Sequence, residues 1–275
     1  MFSAYMLDGV SPLVFWIFVA IAILIQGISK SGFAGGAGIL SIPLMMLVMP
    51  VDRVAASLLP LLILLDLNAI YHHRHNKDWK LIGRIYVPAV VGIILGSLVW
   101  WQVGEAGIEH YGVYIKKFVG VIALFMAFYI FAKEVSLEWV RDKKAGPYMA
   151  WVAGICAGFA STIAHAAGPI VSLFVFSQGL GKTLFVGTVA WCFTFINLTK
   201  LPFYIIVDLI DYSVLRFDLV LLPLIPLGSY LGKWMHFRVS EKLFNRIIMV
   251  LTLLAGIQLL LNINLVRWAL EALYN

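Results

Sequence analysis

The sequence predicts an all-α integral membrane protein made of two inverted repeats, each a broken-helix hairpin followed by three spanning helices. Three observations lead there: a large apolar excess, a series of apolar runs near spanning length, and two small-residue interruptions at matching places in the two halves. The 275 residues are 62% hydrophobic and 12% charged, with a mean hydropathy of +0.96. A soluble domain is about 45–50% apolar and about 25% charged, so an ordinary cytosolic globule is excluded. Disorder is excluded as well, because it needs low hydrophobicity and high net charge. The formal charge of +6 is spread through short links between apolar runs. That is how cytoplasmic loops are marked, and no nucleic-acid partner is expected.

A spanning helix needs about 20 apolar residues. The runs are 13–29, 38–49, 54–71, 85–103, 113–132, 148–160, 167–177, 183–207, 214–235 and 243–266. No Lys or Arg precedes Lys30, so no cleaved signal peptide is expected and the first run stays in the mature chain. Gly32-Phe33-Ala34-Gly35-Gly36-Ala37-Gly38 separates the first two runs. Ala160-Ser161-Thr162-Ile163-Ala164-His165-Ala166-Ala167-Gly168 separates runs 148–160 and 167–177. Several of these four pieces are too short to span alone, so each pair is expected to enter the membrane and return.

The two breaks match. Gly32-Phe33-Ala34 is followed by Pro43, and Gly158-Phe159-Ala160 by Pro169, eleven residues after the first glycine in both cases. The offset is 158 − 32 = 126. Further along, Asn68 corresponds to Asn197 and Gly92-x3-Gly96 to Gly228-x3-Gly232. These landmarks keep their order, which argues for duplication. The expected organisation is a first repeat at 12–133, a cytoplasmic linker at 134–146 and a second repeat at 147–275, all in one transmembrane domain.

Charge then sets the topology. If each broken segment is a hairpin, thirteen Lys and Arg between Arg74 and Arg246 fall on one side. Five, namely Arg53, Lys116, Lys117, Arg216 and Arg267, fall on the other. If each broken segment crosses once, the split is ten against eight. The positive-inside rule selects the hairpins, with both termini outside. An odd number of crossings per half inverts one half relative to the other, the layout of many secondary transporters.

Irregular backbone is not tolerated against lipid, so the breaks belong in the protein interior or beside a watery cavity. A pair of Gly- or Pro-interrupted segments at matching positions points to a transport site. Half-helix starts favour anions, and Gly35, Gly36 and Gly38 let backbone approach a ligand closely. Gly92/Gly96 and Gly228/Gly232 read instead as helix-packing faces, which also permit a homodimer.

Ionisable groups at membrane depth complete the candidate set. Lys30 adjoins the first break and can contact an anion or snorkel from a helix end. Lys200 lies three residues after Asn197, on the same helix face. Asp66 sits among leucines, as a structural ion pair or a proton carrier. His165, in the second break, titrates near neutral pH and by pseudo-symmetry faces the first Gly-rich turn. Asn68 and Asn197 can bond a ligand or a broken backbone; Gln26 and Gln178 are weaker candidates. His72-His73-Arg74-His75 reads as a basic loop, because adjacent helical histidines point to different faces. Cys156 and Cys192 are expected to pack in apolar surroundings, with neither metal nor disulfide. Trp100, Trp101, Trp139, Trp151 and Trp234 suit interfacial belts. No cofactor is expected. Enzymatic and ATP-driven functions lack their motifs: G-x-S-x-G, H-E-x-x-H and G-x4-G-K-[ST] are missing.

The stretch Gly27-Ile28-Ser29-Lys30-Ser31-Gly32-Phe33-Ala34-Gly35-Gly36-Ala37-Gly38, followed by Pro43, resembles the Gly-rich signature of the TauE/SafE permeases. These are also called the toluene sulfonate uptake permease family. The resemblance covers essentially the whole chain, and implies a membrane carrier linked to sulfur-containing anions such as sulfite, sulfonates and sulfoacetate. The second half departs from it at Ser161-Thr162-Ile163-Ala164-His165, where glycines are common. The expected function is a secondary transporter for a small sulfur-containing anion, working by alternating access in a bacterial inner membrane. Lys30, Gly32, Gly35, Gly36, Gly38, Asn68, His165, Asn197 and Lys200 are the expected substrate contacts, with Asp66 in coupling or an ion pair. The alternatives are an anion channel, an intramembrane enzyme and a non-transporting scaffold.

Overall fold

The computed structural model describes residues 5–32, 38, 40–134 and 146–262, and among these every regular element is a helix. They are α1 (Pro12–Gly32), α2 (Ser41–Met46), α3 (Val51–His73), α4 (Trp79–Ala106), α5 (Ile108–Glu134), α6 (Pro147–Ala164), α7 (Ala167–Phe176), α8 (Lys182–Ile206), α9 (Tyr212–Leu221), α10 (Leu224–Arg238) and α11 (Glu241–Leu261). Five of them, α1, α3, α4, α6 and α8, are long and apolar enough to cross a membrane. The bent pair α9–α10 makes a sixth. Large apolar side chains on these helices, among them Leu13, Leu95 and Leu219, are exposed, as side chains facing lipid are.

The helices differ from the sequence expectation in two respects. The long arms of the interrupted segments are not short: α1 runs 21 residues and α6 runs 18. Ser29, Lys30 and Ser31 prolong α1, and Ser161 and Thr162 prolong α6. A polar side chain does not stop a helix when its backbone ladder continues, and Thr162 bonds its hydroxyl back to Gly158 O (2.9 Å). The short arms are α2 and α7, of six and ten residues. The second difference is in run 214–235, which is broken at Leu222-Pro223 and bends by 42°. Pro223 has no N–H to continue the ladder and its ring crowds the preceding turn. Pro60, Pro88 and Pro202 stay inside continuous helices.

The helices cluster into two compact units. One comprises Met1–Val54, Gly107–Glu134 and Leu219–Asn275; the other comprises Ala55–Ala106 and Val135–Asp218. Within the first, α1 packs on α10 and α2, and α5 packs on α11. A Cβ added at Gly27 would come within 2.9 Å of Gly228 Cα, and one at Gly232 within 2.7 Å of Ile28 O. Within the second unit, α4 packs on α6 and α8, and α7 on α6 and α8. There a Cβ on Gly92 would strike Ile155 O, and one on Gly158 would strike Ala89 O. Small residues at such crossings let backbones meet, which is how helices associate without a hydrophobic drive. Each Gly-x3-Gly helix therefore packs against the long arm of the opposite half: α10 on α1, and α4 on α6.

Candidate functional site

The second break holds a cluster of buried polar groups, all within one compact unit. α6 ends at Ala164, and His165 turns the chain in the left-handed region (φ 47°, ψ 28°). His165 N donates to Ser161 O (2.8 Å) and Ala166 N to Ala160 O (3.2 Å), closing a helix-end motif that ordinarily takes glycine. A side chain in that conformation costs about 1–2 kcal/mol. Two imidazole contacts offset the cost. His165 Nε2 lies 2.8 Å from Ala55 O, and His165 Nδ1 lies 2.9 Å from Lys200 Nζ.

Those contacts fix the tautomer. An ammonium only donates and a carbonyl only accepts. Nδ1 therefore accepts a hydrogen bond from Lys200 Nζ, and the ring carries its hydrogen on Nε2, donated to Ala55 O. Lys200 is fully buried and also donates to Ser161 O (3.1 Å) and Ser161 Oγ (3.0 Å). Its three donors thus meet the last turn of α6 and the residue that follows it, where the helix dipole is negative. Its Nζ sits 5.9 Å from the centre of the Tyr204 ring. The neighbouring carbonyl, Thr162 O, accepts from Trp100 Nε1 (2.9 Å) and from the Tyr204 hydroxyl.

One turn earlier on α8, Asn197 Nδ2 donates to Asp66 Oδ2 (2.6 Å), and both residues are buried. Asn197, Lys200 and Tyr204 fall at helical spacing, so α8 presents amide, ammonium and phenol from one face. α7 begins at Ala167 beside this cluster, with no side chain capping its first turn.

The first break is bridged differently. Gln26 Nε2 donates to Gly38 O (2.9 Å) and Ser41 Oγ (2.7 Å), and Ser41 Oγ donates to Gly38 O (2.6 Å). A Cβ at Gly38 would collide with Gln26 Oε1, so the amide would have to shift and its bridge would be disturbed. Lys30 lies half-buried in the last turn of α1, and Gly32 is its final residue. Gly35 and Gly36 lie outside the described residues, and so does the turn that His165 was expected to face.

Of the residues singled out from sequence, His165, Asn197, Lys200 and Asp66 come together or adjoin. Asn68, two residues past Asp66, is exposed on α3. Ser161, Thr162, Tyr204 and Trp100 were not singled out as site residues. The spacing of Tyr204 four residues after Lys200 was the available signal. Trp100 was assigned to an interfacial belt. It is buried instead, because its indole N–H has a carbonyl to meet. Trp101, Trp151 and Trp234 are exposed, and Trp139 lies outside the described residues. Cys192 is buried, whereas Cys156 is exposed on the outer face of α6 rather than packed. Among the described residues no group of three His, Cys, Asp or Glu is placed to hold a metal. The side chains of His72 and His73 are outside the described ones.

Long apolar helices with polar groups buried at their breaks define an integral membrane protein of transporter type. The family model of the sulfite exporter TauE/SafE matches residues 18–259, and the chain belongs to that family. No curated protein and no solved structure matches the chain.

Proposed function

We propose that the chain is a secondary carrier for a small sulfur-containing anion, sulfite or an organosulfonate, and not an enzyme. In this reading it sits in a bacterial inner membrane with both termini outside, and two inverted repeats alternate access to the anion. The observation that carries the reading is the fully buried Lys200 ammonium at the α6–α7 turn. A cation this deep is costly unless a partner repays it. A transported anion is such a partner, and the uncapped N–H groups at the start of α7 add a second attraction. In the conformation described, Ser161 and His165 occupy the Lys200 donors; an arriving anion takes over one of these bonds. Lys30, beside the Gly-rich turn, is the candidate cation of the first half. The reciprocal packing of α10 on α1 and α4 on α6 supports the repeat.

Thermal unfolding of the purified protein against sulfite, thiosulfate, taurine, sulfoacetate, lactate and nitrate tests the reading. A ligand of the folded state stabilises by about 2.7 kcal/mol at a hundredfold excess over Kd. A sulfur oxyanion or sulfonate is expected to raise the melting temperature. Lys200→Met should abolish the shift, and Lys200→Arg should retain part of it. Proteoliposome uptake of the same anion should follow the same order. Uptake by Lys200→Met at the wild-type rate overturns the assignment of Lys200.

A further inference from the structure

Asp218, on α9, is a buried acid that nothing in the foregoing site uses. It is 4% exposed, and neither carboxyl oxygen has a hydrogen-bond partner among the described residues. Asp52 also has one unpartnered oxygen, Oδ1, but its Oδ2 lies 3.5 Å from Arg53 Nε, and three other aspartates are hydrogen-bonded. Asp66 receives the Asn197 amide, Asp78 accepts from Leu81 N, and Asp211 accepts from Ser213 Oγ and Val214 N. No charged or titratable side chain among the described residues bonds to Asp218. On its own helix, Arg216 lies two residues away and so points to another face; its guanidinium rests 4.3 Å from the Tyr212 ring centre. Asp211 is held at the helix start. An ionised carboxylate taken from water with neither donor nor cation costs far more than the neutral acid.

Packing does not demand an acid here. Gly228 follows Gly92 by 136 residues, and the same offset from Asp218 reaches Ile82, an apolar residue buried to a similar degree. The acid also lies four residues before Leu222-Pro223, where the span bends by 42°. Pro223 leaves the carbonyl of Leu219 without its helical donor, so this stretch of backbone is irregular. Within a transporter, a buried ionisable residue beside a helix break is placed to carry charge.

We propose that Asp218 is a proton-binding site, loaded in the bent conformation and emptied when the bend changes, and that it couples anion movement to proton movement. The step is a simple ionisation. The carboxyl O–H bond breaks, its electron pair stays on the carboxylate, and the proton leaves to water on one side to be replaced from the other. The coupling half of the proposal rests on the carrier reading; the proton site does not.

Infrared spectroscopy of the purified full chain separates the two. The wild type at neutral pH should show the C=O stretch of a protonated carboxylic acid, lost in Asp218→Asn and displaced in Asp218→Glu. Absence of that band, or its persistence in Asp218→Asn, overturns the proton site whatever the protein transports. In proteoliposomes containing a pH-sensitive dye, thiosulfate, which carries no proton at neutral pH, should move protons in the wild type. Asp218→Asn should lose that proton movement and net flux while keeping anion exchange, because the amide mimics the loaded acid. Proton movement unchanged in Asp218→Asn overturns the coupling. A wild type that moves no sulfur anion of the panel removes the carrier reading and the coupling with it, and the infrared band still decides the proton site.

Discussion

His165 shows how one side chain can be strained and anchored at once. Its left-handed backbone favours glycine, and its ring is held between Lys200 and Ala55 O. The two contributions separate by substitution. His165→Ala keeps the strain and loses both bonds, so it should melt lower than wild type. His165→Gly loses the bonds but relieves the strain, and should exceed His165→Ala by about 1 kcal/mol. Equal melting temperatures for the two variants would show that the turn is not strained. Asn197 offers a second test at this scale. Removing its amide in Asn197→Ala leaves a buried Asp66 oxygen without this donor, at a cost of about 1–3 kcal/mol. The companion Asp66→Asn, which removes the charge, should cost less. Thermal unfolding in detergent reads both, and the reverse order would mean that the amide does little for the carboxylate.

At the scale of the helix, α4 carries glycines in two different situations. Gly92 has backbone of α6 where a Cβ would go, whereas Gly83 and Gly104 have open space. Gly92→Ala must push α6 away and should lower stability and folded yield. Gly83→Ala meets nothing and removes backbone freedom from the unfolded chain, so it should be neutral or stabilising by up to about 1 kcal/mol. Side-by-side melting of the two variants checks the contrast; equal losses would mean that crowding at the crossing is not what Gly92 relieves. The kink between α9 and α10 belongs to this scale too. Pro60, Pro88 and Pro202 lie inside continuous helices, whereas Pro223 accompanies a break. Pro226 follows closely, so two helical N–H groups are lost within one turn.

At the scale of the whole chain, hydropathy and charge made the class of protein legible, because a bilayer imposes length and composition on anything that crosses it. The interruptions were legible as glycine and proline punctuation. The ends of α1 and α6 were not, because Ser29, Lys30, Ser161 and Thr162 look like loop residues until their backbone bonds are seen. The site was half legible. Lys200, Asn197, His165 and Asp66 stand out as polar residues in apolar runs, and a polar residue there demands a reason. Trp100 and Tyr204 do not stand out, since aromatic residues suit interfaces and cores equally. Asp218 lies in the apolar run 214–235 and, like Lys200, is a charged residue in an apolar setting, but it adjoins neither small-residue break and has no counterpart among the matched landmarks.

The interleaving of the two units bears on how the chain is made. The Ala55–Ala106 and Val135–Asp218 segments are complete once residue 218 has been synthesised, whereas the unit containing α1 needs Leu219–Asn275, the last fifth of the chain. Gly27 and Gly228, which meet at the α1–α10 crossing, are separated by 228 − 27 = 201 residues. α1 must therefore wait in the bilayer, its small-residue face unmatched, through most of translation. Closing so long a loop is slow even where it costs little free energy. α1 is thus made long before its packing partner α10, and an insertase or chaperone that shelters it meanwhile would govern the yield of folded protein.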